Sequence, residues 1–333
     1  MSANPALLRP GRDSSDAGFG LVELMIALAI GAFLISGSIA IYLKAREVRA
    51  ALDSSARLQE IARYAMAAIE ADVRMAGYWG LTNRGESVTA NASLAFPAKC
   101  GGTAWITPTL RYVDGSNNTY LSATNCAAIS GGAEPGADVL VVRRASAQRI
   151  TPQRPTVAAS NQDRVLVVTS HSDGQIFVPE YIGNQIPAGY ASSDAAGEAP
   201  QADTRALLVN AYYVSAGSSL APGYPALRRK TLAAGPDVAD EEVIAGVEDL
   251  QFQVGLDTNG DSDADLFVNP GPVPAGVHPV SVRIWLRVRA AERDAAVGRQ
   301  LIEAYADHAS STVTDSHRRL LVSKTLRIRN AGS

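Results

Sequence analysis

FGLVELMIALAIGAFLISGSIAIY, residues 19–42, decides how the rest of the chain is read. It is a 24-residue run with a single charge, Glu23. At about 1.5 Å rise per residue a helix of this length crosses a hydrocarbon core of roughly 30 Å. The preceding 18 residues, MSANPALLRPGRDSSDAG, are polar, with Arg9, Arg12, Asp13, Asp16, two prolines and two glycines. Neither helix nor core is expected there. An ordinary secretory signal places its small-residue cleavage site after the apolar region. Here the small residue, Gly18, comes before it, so a cut there leaves the apolar helix on the mature chain. An ionisable group in a membrane helix costs a few kcal/mol and normally has a partner or a task. If Phe19 becomes the amino terminus, Glu23 lies one helical turn away and can neutralise the free amine, in the same chain or a neighbour. The plainer alternative is a single-pass anchor with a Glu near its polar end.

The flanking charges pull the other way. The polar leader carries two arginines, whereas Lys44, Arg46 and Arg49 follow the apolar run. The bias of Lys and Arg toward the cytoplasmic side would slightly favour the reverse orientation.

Residues 44–74 contain no Pro and no Gly and are rich in Ala, Arg, Glu, Leu and Gln, all good helix formers. Val48, Leu52, Ser55, Leu58, Ala62, Met66, Ile69 and Val73 recur at steps of three and four and form one stripe. A single helix of about 55 residues is therefore expected, running from the apolar segment into a globular domain. Gly31 and Gly37 are points where it can bend. Gly77 and Gly80, in MAGYWG, are placed to end it. Four segments follow from this: 1–18 a leader, 19–42 a transmembrane half-helix, 43–74 an amphipathic half-helix, and 75–333 a β-rich globular domain. Within the last, 139–143, 165–169, 207–214, 281–290 and 325–329 read as strands. In SVRIWLRVRA, Val282, Ile284, Leu286 and Val288 alternate with Arg283, Trp285, Arg287 and Arg289, the pattern of a half-buried strand. Stretches 183–203 and 215–225 read as loops. The fold class is α+β: a long N-terminal helix packed on an antiparallel β-rich domain.

Of 333 residues, 47% are hydrophobic, and the formal net charge is −3. No basic patch interleaved with aromatics points to nucleic acid. HEXXH, GXSXG and Walker patterns are absent, and His171, His278, His308 and His317 have no ligand spacing, so no enzyme is expected. The two cysteines, Cys100 and Cys126, form a disulfide if the domain is exported and stay as thiols if it is not. Asp257, Asn259, Asp261, Asp263 and Asp265 place oxygens at every second position, as in the first half of a calcium loop. Gly260 is at the fourth position rather than the sixth, and Val268 stands where the closing Glu of an EF-hand would be. Calcium is thus the one cofactor the sequence suggests, and a solvated metal-free hairpin turn is the alternative.

The run Gly18-Phe19-Gly20-Leu21-Val22-Glu23-Leu24-Met25-Ile26-Ala27 resembles the N-terminal signal of type IV pilins and type II secretion pseudopilins. The resemblance implies cleavage by prepilin peptidase after Gly18, N-methylation of Phe19, and a role for Glu23 in docking one subunit onto the next. Further along, MAGYWG, GADVLVVRRA (136–145), YPALRRK (224–230), VIAGVEDLQFQVGLDTNGD (243–261), HPVSVRIWLRVRA (278–290) and RRLLVSKTLRIRN (318–330) resemble, in order, a PilW-type minor pilin. Leu81 stands where many relatives carry Cys, so their disulfide pattern does not transfer. The resemblance implies a single-pass protein of the bacterial inner membrane, its globular domain in the periplasm, that enters the pilus after assembly. Its partners would be prepilin peptidase, other minor pilins, the major pilin and the inner membrane, with no direct nucleic-acid contact. Its work would be assembly or priming of a type IV pilus, serving twitching motility or adhesion. A minor pseudopilin of a type II secretion system, and a membrane-anchored adhesin or binding module, remain as alternatives.

Overall fold

The computed structural model describes residues 20–96, 102–120, 126–129, 131–150, 156–190, 202–235, 237–274, 276–294 and 297–331. The chain forms two compact units, 1–53 and 54–333, and helix α1, Leu21–Val73, contributes to both. Its 53 residues match the uninterrupted run of good helix formers. In the first unit the helix is exposed on every side, with Leu21, Met25, Phe33, Ile35 and Ile41 all facing out. Among the described residues it is the one helix long and apolar enough to cross a membrane, and none of that window is buried within the protein. Ser36 and Ser38, on either side of Gly37, turn their hydroxyls back onto the carbonyls of Ala32 and Leu34. Such bonds keep hydroxyls satisfied in an apolar medium and soften the helix locally.

In the second unit, Leu58, Ala62, Ala65, Met66, Ile69, Asp72 and Val73 of α1 are buried. The stripe read from the sequence is thus a core face from Leu58 onward, while Val48 and Leu52 are exposed. The helix stops where Gly77 takes φ +72°, donating its N–H to Arg143 O. A Cβ there would stand 3.1 Å from Asn330 O and 3.2 Å from the Tyr112 ring.

The helix is followed by β1 (Val88–Ala90), the short α2 (Thr103–Ile106), β2 (Val113–Ser116), β3 (Val139–Ile150), β4 (Leu166–Thr169), β5 (Gly174–Phe177) and β6 (Asp203–Ser215). Next come β7 (Ala226–Ala233), β8 (Asp237–Ala245), β9 (Val247–Asp257), β10 (Leu266–Val268), β11 (His278–Arg293), β12 (Gln300–Ile302), β13 (Ser311–Val313) and β14 (His317–Arg327). Eight strands make one sheet in the order β1-β5-β4-β6-β3-β2, with β7 added on β6 and β8 on β7. Four make a second, β10-β9-β11-β14, and β12–β13 is a separate ribbon. Every ladder is antiparallel except β1–β5.

The chain passes from the first sheet to the second at Gly246, between β8 and β9. That residue has φ +100°, and a Cβ on it would stand 2.5 Å from the Tyr224 hydroxyl oxygen. Alternation in β11 places Val282, Ile284, Leu286 and Val288 in the core, all fully buried. They face Val254, Phe252, Leu250 and Val247 of β9 across the ladder. Burial of one such side chain stabilises by about 1.5–3 kcal/mol. Trp79, Leu140, Tyr212 and Phe252 complete the same core.

Candidate functional site

The residues singled out in the sequence fall in three places. The first is the start of α1. Gly18 and Phe19, the cleavage and methylation positions, lie outside the described residues. Glu23 lies in the first turn of the helix, where a negative side chain opposes the unpaired N–H groups of a helix start favourably. It is exposed among Leu21, Val22, Leu24 and Met25, also exposed. A carboxylate on such an apolar surface can act only through a partner brought to it.

The second place is the hairpin loop between β9 and β10. Asp257, Asn259, Asp261, Asp263 and Asp265 all fall here; the carboxylates of Asp257, Asp261 and Asp265 accept from the loop's own donors, and Asp263 Oδ1 lies 3.7 Å from Arg327 Nη1. Asp257 Oδ1 accepts from the N–H groups of Asn259 and Gly260, at 3.1 and 2.6 Å, and its Oδ2 from that of Ser262, at 2.8 Å. These donors hold the Asp257 carboxyl below its ordinary range. Asp265 Oδ2 accepts both the N–H and the hydroxyl of Thr258, and Asp261 Oδ1 accepts from Asp263 N–H. Among the described residues no three His, Cys, Asp or Glu side chains are gathered as metal ligands.

The third place is the segment around Cys126. Cys126 is disulfide-bonded; Cys100, the other cysteine of the sequence, lies outside the described residues. Tyr120 donates its hydroxyl to Cys126 O at 2.8 Å, and Lys230 Nζ donates to Ala127 O at 3.0 Å. The Tyr120 and Tyr213 rings meet edge-on at 5.1 Å, so the segment is fastened onto β6 and β7.

The histidines do not converge. His171 and His278 are exposed, and His317 contacts Ala290 O. His308 contacts Asn118 Oδ1 at 2.9 Å and lies 3.5 Å from Asp249 Oδ2. Asp249 also accepts the Tyr305 hydroxyl and Gln251 Nε2. No serine or cysteine joins this group in the contacts of the described residues.

Sequence reasoning missed a heavily used polar group in the second unit. Asp72 is buried near the end of α1 and accepts from Arg144 Nε (2.9 Å) and Nη2 (2.7 Å), Asn210 Nδ2 (2.6 Å) and the Tyr212 hydroxyl (2.6 Å). It also missed Asp307, whose Oδ2 accepts the side-chain amides of Asn117, Asn118 and Asn269 and so ties three loops together. Nothing local marks either residue, because every partner is distant in sequence. A third feature is an apolar groove between α1 and β14, lined by Ala62, Met66, Leu320 and Val322, with Lys324 and Glu70 paired at its edge at 2.6 Å.

Comparison with known families adds two matches. Residues 13–39 match the prokaryotic N-terminal methylation motif. Residues 211–330, from the middle of β6 to the end of β14, match Type IV Pilus-assembly protein W. No curated protein and no solved structure matches the chain. The first match covers the exposed helix start that carries Glu23, and the second covers the β9–β11–β14 sheet. Long apolar N-terminal helix, methylation motif and β-rich domain coincide in one chain, whose residues 211–330 are similar to Type IV Pilus-assembly protein W.

Proposed function

We propose that the protein is an assembly component of a type IV pilus, a minor pilin that helps to prime the fibre, rather than an enzyme. In this reading prepilin peptidase removes residues 1–18, and Phe19 becomes an N-methylated terminus. Residues 19–42 hold the chain in the bacterial inner membrane by a single pass, with the globular domain in the periplasm. The mature subunit then joins other minor pilins and the major pilin, and adhesion or twitching motility follows from the fibre.

One observation carries this reading: a 53-residue helix opens with an exposed carboxylate, Glu23, on a wholly exposed apolar surface. An exposed surface of that kind has two satisfactory surroundings, lipid and other apolar helices. Glu23 costs a few kcal/mol in lipid unless it meets a cation, and the free amine of a neighbouring subunit supplies one. The match to a pilus-assembly protein over 211–330 favours a pilus over a type II secretion system.

The test is Glu23→Ala in the full chain. Cleavage at Gly18 should continue, because the peptidase acts before docking, while recovery of the protein in sheared pili should fall at least tenfold. Normal recovery would remove Glu23 from docking.

A further inference from the structure

We propose that Tyr42, Arg46 and Arg49 form a face that binds the headgroups of anionic phospholipids where α1 leaves the membrane. This rests on the membrane-spanning reading of residues 19–42. The three residues are spaced four and three apart, so they share one side of α1. All three are exposed, Tyr42 by 67%. Lys44, on another side, is paired with Glu47 at 3.0 Å. Arg46 and Arg49 have no ion pair among the described residues. Val48 and Leu52, the exposed apolar residues of this stretch, are rotated by roughly 100° from the arginine face, so a partner helix can pack on them without covering it.

The chemistry fits a phosphodiester. Guanidinium groups present a planar fork that matches two phosphate oxygens, and tyrosine places its ring at the headgroup level of a bilayer. Along the axis Arg46 stands about 6 Å and Arg49 about 10 Å past Tyr42. The interfacial layer of one leaflet is about 5–8 Å thick, and long Arg stems reach back toward it. Asp53 lies on the same face about 16 Å past Tyr42, beyond that layer, and is unpaired with Arg49 among the described residues. An anionic leaflet attracts each basic side chain near its surface by about 1 kcal/mol, an attraction that a neutral bilayer does not supply. Anionic headgroups supply the counter-ions and fix how deep the helix sits.

The full chain is reconstituted in nanodiscs that mix phosphatidylglycerol with phosphatidylcholine, and the lipids it retains are counted by native mass spectrometry. Phosphatidylglycerol should be enriched on the order of tenfold on the unaltered chain. The enrichment should vanish in Arg46→Gln/Arg49→Gln and persist in Arg57→Gln/Arg63→Gln. It should also weaken with salt, as a charge contact does. Enrichment that survives in the first variant, or is absent from the unaltered chain, overturns the proposal. Alkaline extraction of the same membranes separates this from the underlying reading. A chain that stays in the bilayer without lipid preference sinks the headgroup site alone, and a chain released by alkali sinks both.

Discussion

The Tyr212 hydroxyl on β6 donates to Asp72 Oδ2 near the end of α1 across 2.6 Å, inside the core of the second unit. With Arg144 and Asn210 on the same carboxylate, this joins the helix to the large sheet by a fully partnered buried charge. Removing one member of such a set leaves the others desolvated and unpaired. Asp72→Ala should therefore destabilise the protein by about 3–5 kcal/mol. Tyr212→Phe, which deletes one donor and keeps the ring, should cost about 1.5–3 kcal/mol. Urea denaturation of both variants checks the order. An Asp72→Ala protein as stable as the parent would show that the cluster does not hold the helix.

Asp138 gives a pH dependence of definite sign. Burial pushes its carboxyl up to about 7, against two backbone N–H donors, from Asn118 and Phe252, that favour the ionised form. The nearby Asp307 and Asp249 add to the rise. Below the ordinary carboxyl range, near 4, both folded and unfolded chains carry the proton, and Asp138 costs nothing. Between about 4 and 7 the unfolded chain gives it up first, so this contribution to stability is lost as pH rises. Asp138→Asn should remove that slope. The parent-minus-variant difference in unfolding free energy should fall from pH 4 to pH 8, and a flat difference would contradict the burial of this carboxyl. Arg319 acts in the opposite sense by holding Glu248 and Asp315 low. Stability from that pair is lost as pH falls through the acid range instead.

Gly115 on β2 has no room for a side chain. A Cβ would stand 2.0 Å from Val139 O and 2.7 Å from Phe252 Cζ. Backbone and a buried ring cannot both yield, so Gly115→Ala should cost about 3 kcal/mol or more. Gly132→Ala is a contrast, since nothing lies within 4 Å of its Cβ and only its φ of +92° resists the change. A thermal melt in which Gly115→Ala is the milder of the two would contradict the β2–β3 packing.

Cys126→Ser tests the disulfide. A cross-link between the two cysteines would close a loop worth about 3 kcal/mol by chain entropy. The variant should melt several degrees lower than the parent under oxidising conditions, and equally with it under reducing ones. Equal melting in both conditions would leave the bond without weight in stability.

The helix and strands such as β11 were legible because their burial follows a period. The stripe through Leu58, Ala62, Met66, Ile69 and Val73 is the buried face, and the alternation of 282–288 is the core face of β11. The strand placed at 325–329 begins earlier, at His317, and ends at Arg327. Its first residues are polar, and Arg319 is buried only because Glu248 and Asp315 meet it at 2.7 and 2.6 Å. β8 went unread for a related reason. Asp240, Glu241 and Glu242 show no apolar alternation, and they sit in a strand because Arg228, Arg229 and Lys230 of β7 answer them across the ladder. Charge pairing across strands is a long-range property and leaves no local period. The same holds for Asp72, whose partners stand 72, 138 and 140 residues away. The aspartate loop was legible as a turn, while the commitment of its oxygens to backbone N–H groups was not.

The central claim is processing at the start of α1. The most direct measurement is the mature N-terminus of the full chain co-expressed with a prepilin peptidase, by intact mass and terminal sequencing. The account predicts a chain that begins at N-methylated Phe19, with residues 1–18 removed. A chain that still begins at Met1, or one cut beyond Tyr42 so that the apolar helix is lost, would contradict it.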